Sequence, residues 1–290
     1  MSLFNKIEKV MEFLKEENNK AKYKNSVDYE YIKLCKKILK EGVYRKGRNG
    51  GTISLFGAQV RFDLSQGLPM LTTKKIVTRS VIHELVWLLK GDTSAKYLKD
   101  NNVGIWDLWI DEKGDLPYTY PRQWRRFPNP HGEPVDQIAK AINDIKNNPY
   151  SRRIIVSAWN PAEMDMAALP ACHSFFQFFV ADGKLSCHLL CRSQDIALGT
   201  PFNWLSYALL THVIAHICCL KVGDLVWTGG DVHIYENQIE ALKTQFDRKS
   251  HELPKVKINP NLKHIDDLKF EDISIEGYVS EGFIKIPVSQ

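Results

Sequence analysis

The segment at residues 205–220 constrains the fold more than any other part of this 290-residue chain. Its apolar residues recur at helical spacing, which predicts one buried helix face: Leu205, Leu209, Val213, Ile217 and Leu220. Polar residues interrupt the segment, so it falls short of a membrane span: Ser206, Thr211, His212 and His216. We therefore predict a central core helix that other elements surround.

The elements predicted around this helix are of both kinds. Four runs are rich in strand-forming residues: 52–62 with a break at Phe56-Gly57, 154–159, 175–180 and 185–191. Ala-Asp-Gly-Lys joins the last two runs and is typical of a hairpin turn. Helical periodicity ends at a glycine in two segments: 29–41 with Gly42, and 77–89 with Gly91. The pattern predicts one α+β domain over 27–290, a helical extension at 1–26 and a flexible basic loop at 45–51.

The composition is that of an ordinary folded protein. Hydrophobic residues make up 44% of the chain and charged residues 25%, as in a typical soluble domain. The net charge of +5 is too mild to indicate nucleic acid as the main partner. The six cysteines show no disulfide-framework spacing, and the N-terminus lacks the apolar core of a signal peptide. We therefore expect a cytoplasmic protein without a membrane span.

The sequence does not predict a metal site. Cys187 and Cys191 would lie about 13 Å apart along one face of a strand, too far to share an ion. His83-Glu84 resembles the start of a metalloprotease helix, but Trp87 occupies the position that needs the second histidine.

A cysteine and several arginines carry the strongest chemical signal. Cys172 directly precedes a predicted strand, which would place its sulfur at the mouth of that strand. Arginines favour the thiolate over the thiol, whose ordinary pKa is about 8.5, and their planar fork of donors suits phosphate. The relevant arginines are Arg152, Arg153 and Arg192. This combination predicts an enzyme that attacks a phosphorylated small molecule through sulfur.

Six motifs in a fixed order form a specific pattern: SRRIIVSAWN at 151–160, LPACHSFFQF at 169–178, RSQD at 192–195, LGTPFN at 198–203, GDVHIY at 230–235 and IPV at 286–288. Together they resemble the thymidylate synthase family over about residues 27–290. The resemblance implies a mixed β-sheet packed by helices around a central buried helix. It also implies chemistry in which a cysteine thiolate adds to C6 of a pyrimidine nucleotide. The C5 atom then takes a one-carbon unit from 5,10-methylenetetrahydrofolate.

The resemblance assigns catalytic roles to four residues. Cys172 matches the nucleophile, and Glu84 matches the carboxylate that organises water and protons at the base. Tyr120 matches the tyrosine implicated in removal of the C5 proton. Asn203 matches the amide that reads the polar edge of the base, because an amide offers both a donor and an acceptor.

Further positions match the family's binding residues. For the nucleotide they are Arg48, Arg152, Arg153, His173, Arg192, Ser193, Asp195, His233 and Tyr235. Among these, Arg192 and Ser193 would hold the 5′-phosphate, and His233 and Tyr235 the sugar hydroxyl. Arg152 and Arg153 would reach the partner's site in a homodimer. For the folate wall the positions are Trp106, Trp109, Leu169, Asp195, Leu198, Gly199, Phe202 and Val288.

The chain departs from the family pattern at several of its motifs. The phosphate-loop arginine is absent from its place, and Arg48 lies one residue later. Pro117-Tyr118-Thr119-Tyr120-Pro121 replaces the usual Gly-Pro-Val-Tyr-Gly. Single residues also differ, namely Cys191 for a glutamine, Ala197 for a bulky aromatic, Trp204 for a small aliphatic and Val77 for a folate-tail histidine. We expected these changes to cluster where specificity is determined.

The pattern resembles the hydroxymethylase branch of the family, in which the C5 methylene accepts water instead of hydride. Ala197 would open room for a larger sugar, which points to a CMP-type enzyme. Retained Asn203 argues against the phage deoxycytidylate hydroxymethylases, which have an aspartate there. Two alternatives stay open at this point, a thymidylate synthase that methylates dUMP and a non-catalytic nucleotide or RNA-binding module.

Overall fold

The computed structural model of the protein describes residues 22–47 and 50–289. Its helices are α1 (Ser26–Glu41), α2 (Thr78–Lys90), α3 (Lys96–Asp100), α4 (Tyr120–Arg125), α5 (Gln137–Asn147), α6 (Gly199–Ile217) and α7 (Ile239–Phe246). Its strands are β1 (Val43–Gly47), β2 (Gly50–Asp63), β3 (Ile155–Ser157), β4 (His173–Ala181), β5 (Lys184–Asp195), β6 (Lys221–Tyr235), β7 (Lys255–Ile258) and β8 (Ile273–Glu276). The predicted extension lies outside the described residues up to position 21, and so does Arg48.

A six-stranded mixed sheet forms the centre of the described fold, in the order β1-β2-β6-β5-β4-β3. Strands β5 and β6 run parallel, and the other neighbours run antiparallel. Strands β7 and β8 form a separate two-stranded sheet. The predicted α+β class and the mixed sheet packed by helices are confirmed.

Helix α6 is the central buried helix that the sequence predicted. Fourteen of its residues are buried, and they include the small polar residues Ser206 and Thr211. The Thr211 hydroxyl donates to the Tyr207 carbonyl at 2.7 Å, so this buried polar group has a partner within the helix. No helix among the described residues is long and apolar enough to cross a bilayer.

The predicted turns and helix ends occur where glycine permits them. Asp182 and Gly183 have φ values of 50° and 69° in the β4–β5 hairpin, the pair of positive angles of a type I′ turn. Gly91 ends α2 with a φ of 67°, and Gly42 ends α1. A Cβ atom at Gly42 would lie 2.5 Å from the Ile38 carbonyl oxygen, so a larger residue does not fit there.

The structure differs from the sequence prediction in the β1–β2 hairpin, within strand β2 and at strand β6. The stretch 45–51 was predicted as a loop, but its described residues belong to the β1–β2 hairpin, in which Arg45 pairs with Thr52. The expected break at Gly57 is a local change of φ to 84° within a strand that continues to Asp63. Strand β6, which no sequence pattern predicted, pairs with both β2 and β5.

Candidate active site

The Cys172 thiol lies directly before β4, at the end of the β4–β5 ladder. Its backbone N–H donates to the Tyr120 hydroxyl at 2.8 Å, and its carbonyl accepts the Arg192 N–H at 2.8 Å. The side chain is half-buried. The sulfur therefore lies at the mouth of a strand, as the sequence predicted, on a backbone held from two sides.

Arg192 supplies the positive charge beside the sulfur. Its Nη2 atom lies 4.0 Å from Cys172 Sγ. Its guanidinium donates to the Ala171 carbonyl at 2.8 Å and to the Pro170 carbonyl at 2.9 Å, and it lies over the Trp159 ring at 5.4 Å. These contacts fix the plane of the guanidinium, so the charge is in place before a substrate binds.

The protonation state of the thiol differs from the sequence prediction. We expected neighbouring arginines to lower the pKa of Cys172, but its pKa is raised above the ordinary value. Burial raises the pKa and outweighs the opposing effect of Arg192, because removal of water penalises the anion. The thiol is thus protonated at neutral pH and needs to lose its proton before it can attack.

An aromatic stack supports the backbone of the nucleophile. The rings of Tyr120 and His173 lie parallel, with centroids 3.7 Å apart, and His173 Nδ1 lies 2.6 Å from the Tyr207 hydroxyl. Burial lowers the pKa of His173 to about 3, so this ring is neutral. Burial also raises the pKa of Tyr120 well above its usual value. The structure gives His173 a place in this stack beside the nucleophile.

Glu84 is the titrating group of the site near neutral pH. Burial raises the pKa of this carboxyl to about 7, although the hydrogen bond from Trp106 opposes the shift. Trp106 Nε1 donates to Glu84 Oε1 at 2.8 Å, and the Trp106 ring lies 6.0 Å from that of Tyr120. This chain of contacts connects the carboxyl to the Cys172 backbone through two aromatic side chains.

The amide of Asn203 and the carboxylate of Asp195 meet at the start of α6. Asn203 Nδ2 donates to Gln194 Oε1 at 3.1 Å. Asp195 Oδ1 accepts the N–H groups of Ala197 and Leu198 at 2.8 and 3.0 Å, and Oδ2 accepts Gln238 Nε2 at 2.8 Å. Neither Gln194 nor Gln238 was among the predicted site residues, although Gln194 lies within the RSQD motif at 192–195.

A cavity of about 280 Å³ adjoins the C-terminal end of β5, near Asp195. The residues that line it are Arg45, Lys46, Gly47, Gly50, Thr52, Ser54, Asp231, His233 and Tyr235. Asp231 lies 2.5 Å from Arg45 Nη1 and 3.2 Å from His233 Nδ1. Ser193 pairs with Asp231, and Asp195 pairs with His233. Strand β5 therefore joins the Cys172–Arg192 pair to this cavity. The cavity includes Arg45, a cation of the predicted basic loop that was not among the predicted site residues.

Arg152 and Arg153 lie apart from this cluster. They occupy the turn before β3, and both are exposed. Among the described residues, no hydrogen bond or ion pair joins either guanidinium to Cys172 or Arg192. The structure therefore does not bring this predicted pair into the site of its own chain.

The predicted folate wall combines buried and accessible apolar surface. The Trp106 and Trp109 rings meet edge to face at 5.8 Å. Trp109, Leu169, Leu198 and Phe202 are half-buried against the core, and Val288 is 59% exposed. Accessible aromatic and aliphatic surface of this kind fits a flat heteroaromatic ring. Gly199 packs closely against Gln194.

Three of the departures from the family pattern are core residues. Cys191, Ala197 and Trp204 are each 0% exposed. Trp204 packs against Phe62 and Trp227, with ring centroids 4.7 and 5.8 Å away. The expectation that Ala197 opens room for a larger sugar is wrong, because neighbouring residues fill the space around it. Val77, by contrast, is 42% exposed.

The site thus combines a half-buried thiol beside a fixed guanidinium with a titrating carboxyl and an apolar wall. A sequence model of the family described as Thymidylate synthase matches residues 29–290. The chain belongs to the thymidylate synthase family, whose members are enzymes that transfer a one-carbon unit from methylenetetrahydrofolate to C5 of a pyrimidine nucleotide. Membership favours the enzyme over the non-catalytic module that the sequence left open. No cluster of metal-ligating side chains occurs in the parts of the chain that the structure describes.

Proposed function

We propose that this enzyme ends its reaction by adding water to the C5 methylene, which gives a 5-hydroxymethyl pyrimidine nucleoside monophosphate. The proposal rests on the departures from the family pattern around Tyr120, and Glu84, a carboxyl whose pKa burial raises to about 7, supplies the base that activates the water. A carboxyl whose pKa lies near neutral pH is available in its ionised form to take a proton from an attacking water. The Glu84 carboxyl also supports the earlier proton transfers at the pyrimidine base.

Cys172 is proposed as the nucleophile. The thiol gives its proton to water and its sulfur bonds to C6, so that the C5–C6 double bond opens and C5 becomes the carbon that attacks the one-carbon unit. After the folate has left, water adds to the methylene, the C5–C6 double bond forms again and the sulfur–C6 bond breaks. Arg192 Nη2, 4.0 Å from the sulfur, stabilises the thiolate once the proton has left. Tyr120 is proposed to assist removal of the C5 proton, since its hydroxyl already lies against the Cys172 backbone.

The nucleotide is proposed to extend from the thiol toward the β1–β2 hairpin. Arg192 and Ser193 bind the 5′-phosphate, Asn203 binds the base, and His233 with Tyr235 binds the sugar. The cavity at the end of β5 supports this direction, because His233 and Tyr235 line it. Arg45 enters the proposal as an additional cation of the same cavity. The apolar wall around Trp109 accepts the folate.

Arg152 and Arg153 are proposed to complete the phosphate site of a second subunit in a homodimer. Both are exposed in the turn before β3, so they are accessible to a partner. Arginine binds phosphate through two parallel hydrogen bonds, and each pair gains strength once water is excluded. We propose residues 27–290 as the catalytic unit of each subunit.

Product analysis tests the final step. The full chain is incubated with methylenetetrahydrofolate and, in separate reactions, CMP, dCMP, UMP or dUMP, and the product mass is measured. The proposal predicts a hydroxymethyl product without matching formation of dihydrofolate. A methylated product that forms in step with dihydrofolate would contradict it. Cys172→Ser serves as the control, because it removes both outcomes.

Methylation of dUMP is the second candidate, and a particular observation favours it. Cys191, Ala197 and Trp204 depart from the family pattern but are fully buried, so these changes repack the core without reshaping the substrate cavity. A substrate cavity that these three changes leave unaltered would act on the ordinary substrate of the family. Reaction with dUMP alone, giving the methylated nucleotide, is the result that selects this candidate.

A further inference from the structure

Gln194 is a buried polar residue at the base end of the site. It lies on β5 between Ser193 and Asp195 and is only 4% exposed. Its Oε1 atom accepts a hydrogen bond from Asn203 Nδ2 at 3.1 Å. A buried amide that loses its partner costs free energy, so this bond constrains both side chains.

The amide of Gln194 is confined on a second side by Gly199. A Cβ atom added at Gly199 would lie 2.7 Å from Gln194 Nε2, so only glycine lets the amide approach this closely. Gly199 and Asn203 are four residues apart on α6 and therefore share one face of the helix. Gln194 spans that face, with its nitrogen against the backbone and its oxygen bound to Asn203.

The bond determines which way the Asn203 amide points. Uracil presents a donor at N3 and an acceptor at C4, whereas cytosine presents an acceptor at N3 and a donor at C4. A free amide can pair with either base after a flip, since it has one donor end and one acceptor end. An Asn203 amide that flips keeps its bond to Gln194 only if the buried Gln194 amide flips as well, so a Gln194 held in one orientation favours one base.

We propose that Gln194 is a positioning residue for base selectivity, which holds the Asn203 amide in one orientation so that the site discriminates uracil from cytosine. The inference rests on the proposed assignment of Asn203 to the base. It is independent of whether water or hydride completes the reaction, because it concerns nucleotide binding alone.

The test compares nucleotide affinities by calorimetry without folate. UMP is compared with CMP, and dUMP with dCMP, on the full-length wild type and on Gln194→Leu. We expect the wild type to prefer one base by at least about tenfold, and the preference to fall by about tenfold in Gln194→Leu, as for one lost hydrogen bond. Gln194→Glu retains an acceptor for Asn203 Nδ2, so we expect it to keep the preference even if its added charge weakens both nucleotides.

The outcomes separate the role of Gln194 from the proposed function. Equal affinity of the wild type for both bases, or an unchanged preference in a folded Gln194→Leu, overturns the role of Gln194. Loss of the preference in Gln194→Glu as well as in Gln194→Leu also overturns it, because Gln194→Glu keeps the acceptor for Asn203 Nδ2 and should therefore keep the preference. Failure of the wild type to bind any of the four nucleotides contradicts the proposed function itself. If Gln194→Leu does not fold, Gln194→Met gives the same comparison with a flexible side chain.

Discussion

The thiol centre and the exposed arginine pair differ in how far one chain completes them. Cys172 is fixed by hydrogen bonds to Tyr120 and Arg192, and burial sets its protonation state. Arg152 and Arg153 lie on the surface before β3, where water surrounds charged groups. The comparison teaches that one chain alone positions the nucleophile, whereas the proposed phosphate contacts of Arg152 and Arg153 depend on a partner chain.

The largest effect on turnover is expected from substitution of the half-buried thiol. Cys172→Ser should lower turnover by at least about 10³-fold, because the nucleophile itself is removed, while nucleotide affinity changes little. Steady-state kinetics and calorimetry measure the two quantities. Cys219→Ser is the matched control, since Cys219 is exposed and belongs to no proposed site. Comparable loss in both variants would mean that the thiol at 172 has no special role.

Glu84→Gln tests the titrating carboxyl of the same centre. Because the pKa of Glu84 is raised to about 7, wild-type activity should fall as the pH falls through 7 and the carboxylate is protonated. The variant should turn over about 10²-fold more slowly and lack this acid limb. The measurement is kcat/KM against pH from about 5.5 to about 8.5, because this ratio reports ionisations of the free enzyme. An unchanged limb in the variant would assign the titration to another group.

A smaller effect, on nucleotide affinity, is expected from substitution in the exposed arginine pair. Arg153→Ala should weaken nucleotide affinity by about 1–3 kcal/mol, the range for a hydrogen bond to a charged group, with little change in stability. Arg153→Lys keeps the charge but not the planar fork, so it should recover only part of the loss. Affinity that is unchanged in Arg153→Ala would refute the phosphate role.

Mixed dimers sharpen the same comparison. Cys172→Ser and Arg153→Ala subunits are each impaired alone, but a mixed dimer with shared sites contains one complete site. We expect partial recovery of activity after subunit exchange, which mass spectrometry of the intact dimer verifies. Absence of recovery in verified mixed dimers would show that each chain uses its own arginines.

The smallest effect concerns stability at the aromatic stack. Burial lowers the pKa of His173 from 6.5 to about 3, so between these values the unfolded chain binds a proton that the folded chain excludes. This ring should therefore reduce the free energy of unfolding by up to about 1.4 kcal/mol per pH unit as the pH falls through that range. His173→Gln should show a shallower slope in urea unfolding at pH 7, 6 and about 5. Equal slopes would mean that His173 is accessible to protons in the folded state.

Much of the scaffold could be predicted because its signals are local. Helix α6 follows from apolar spacing, the β4–β5 turn from Asp182-Gly183, and the position of Cys172 from the strand that follows it. Strand β6 could not be predicted in this way, because its glycine-containing sequence is held by β2 and β5, which are distant in the chain. The β-propensity of individual residues is a poor predictor of a strand whose formation depends on pairing with its neighbours.

The site was predicted less completely for a related reason. The family resemblance named Cys172 and Asn203, but the raised pKa of Cys172 results from a balance between burial and Arg192 that exists only in three dimensions. Gln194 lies in the RSQD motif and Arg45 in the predicted basic loop, but the sequence assigned neither a role, and their roles emerge from a hydrogen bond to Asn203 and an ion pair with Asp231. Contacts in the structure therefore identified site residues that the sequence motifs alone did not.

The central claim is that the sulfur of Cys172 bonds to C6 of a pyrimidine nucleotide. A 5-fluoro pyrimidine nucleotide tests it directly. The hydrogen normally at C5 leaves as a proton, but fluorine cannot leave as a cation, so the covalent complex with folate accumulates. Peptide mass spectrometry of the trapped protein should find nucleotide and folate on the peptide that contains Cys172. An unmodified Cys172 peptide, under conditions in which both ligands bind, would contradict the account.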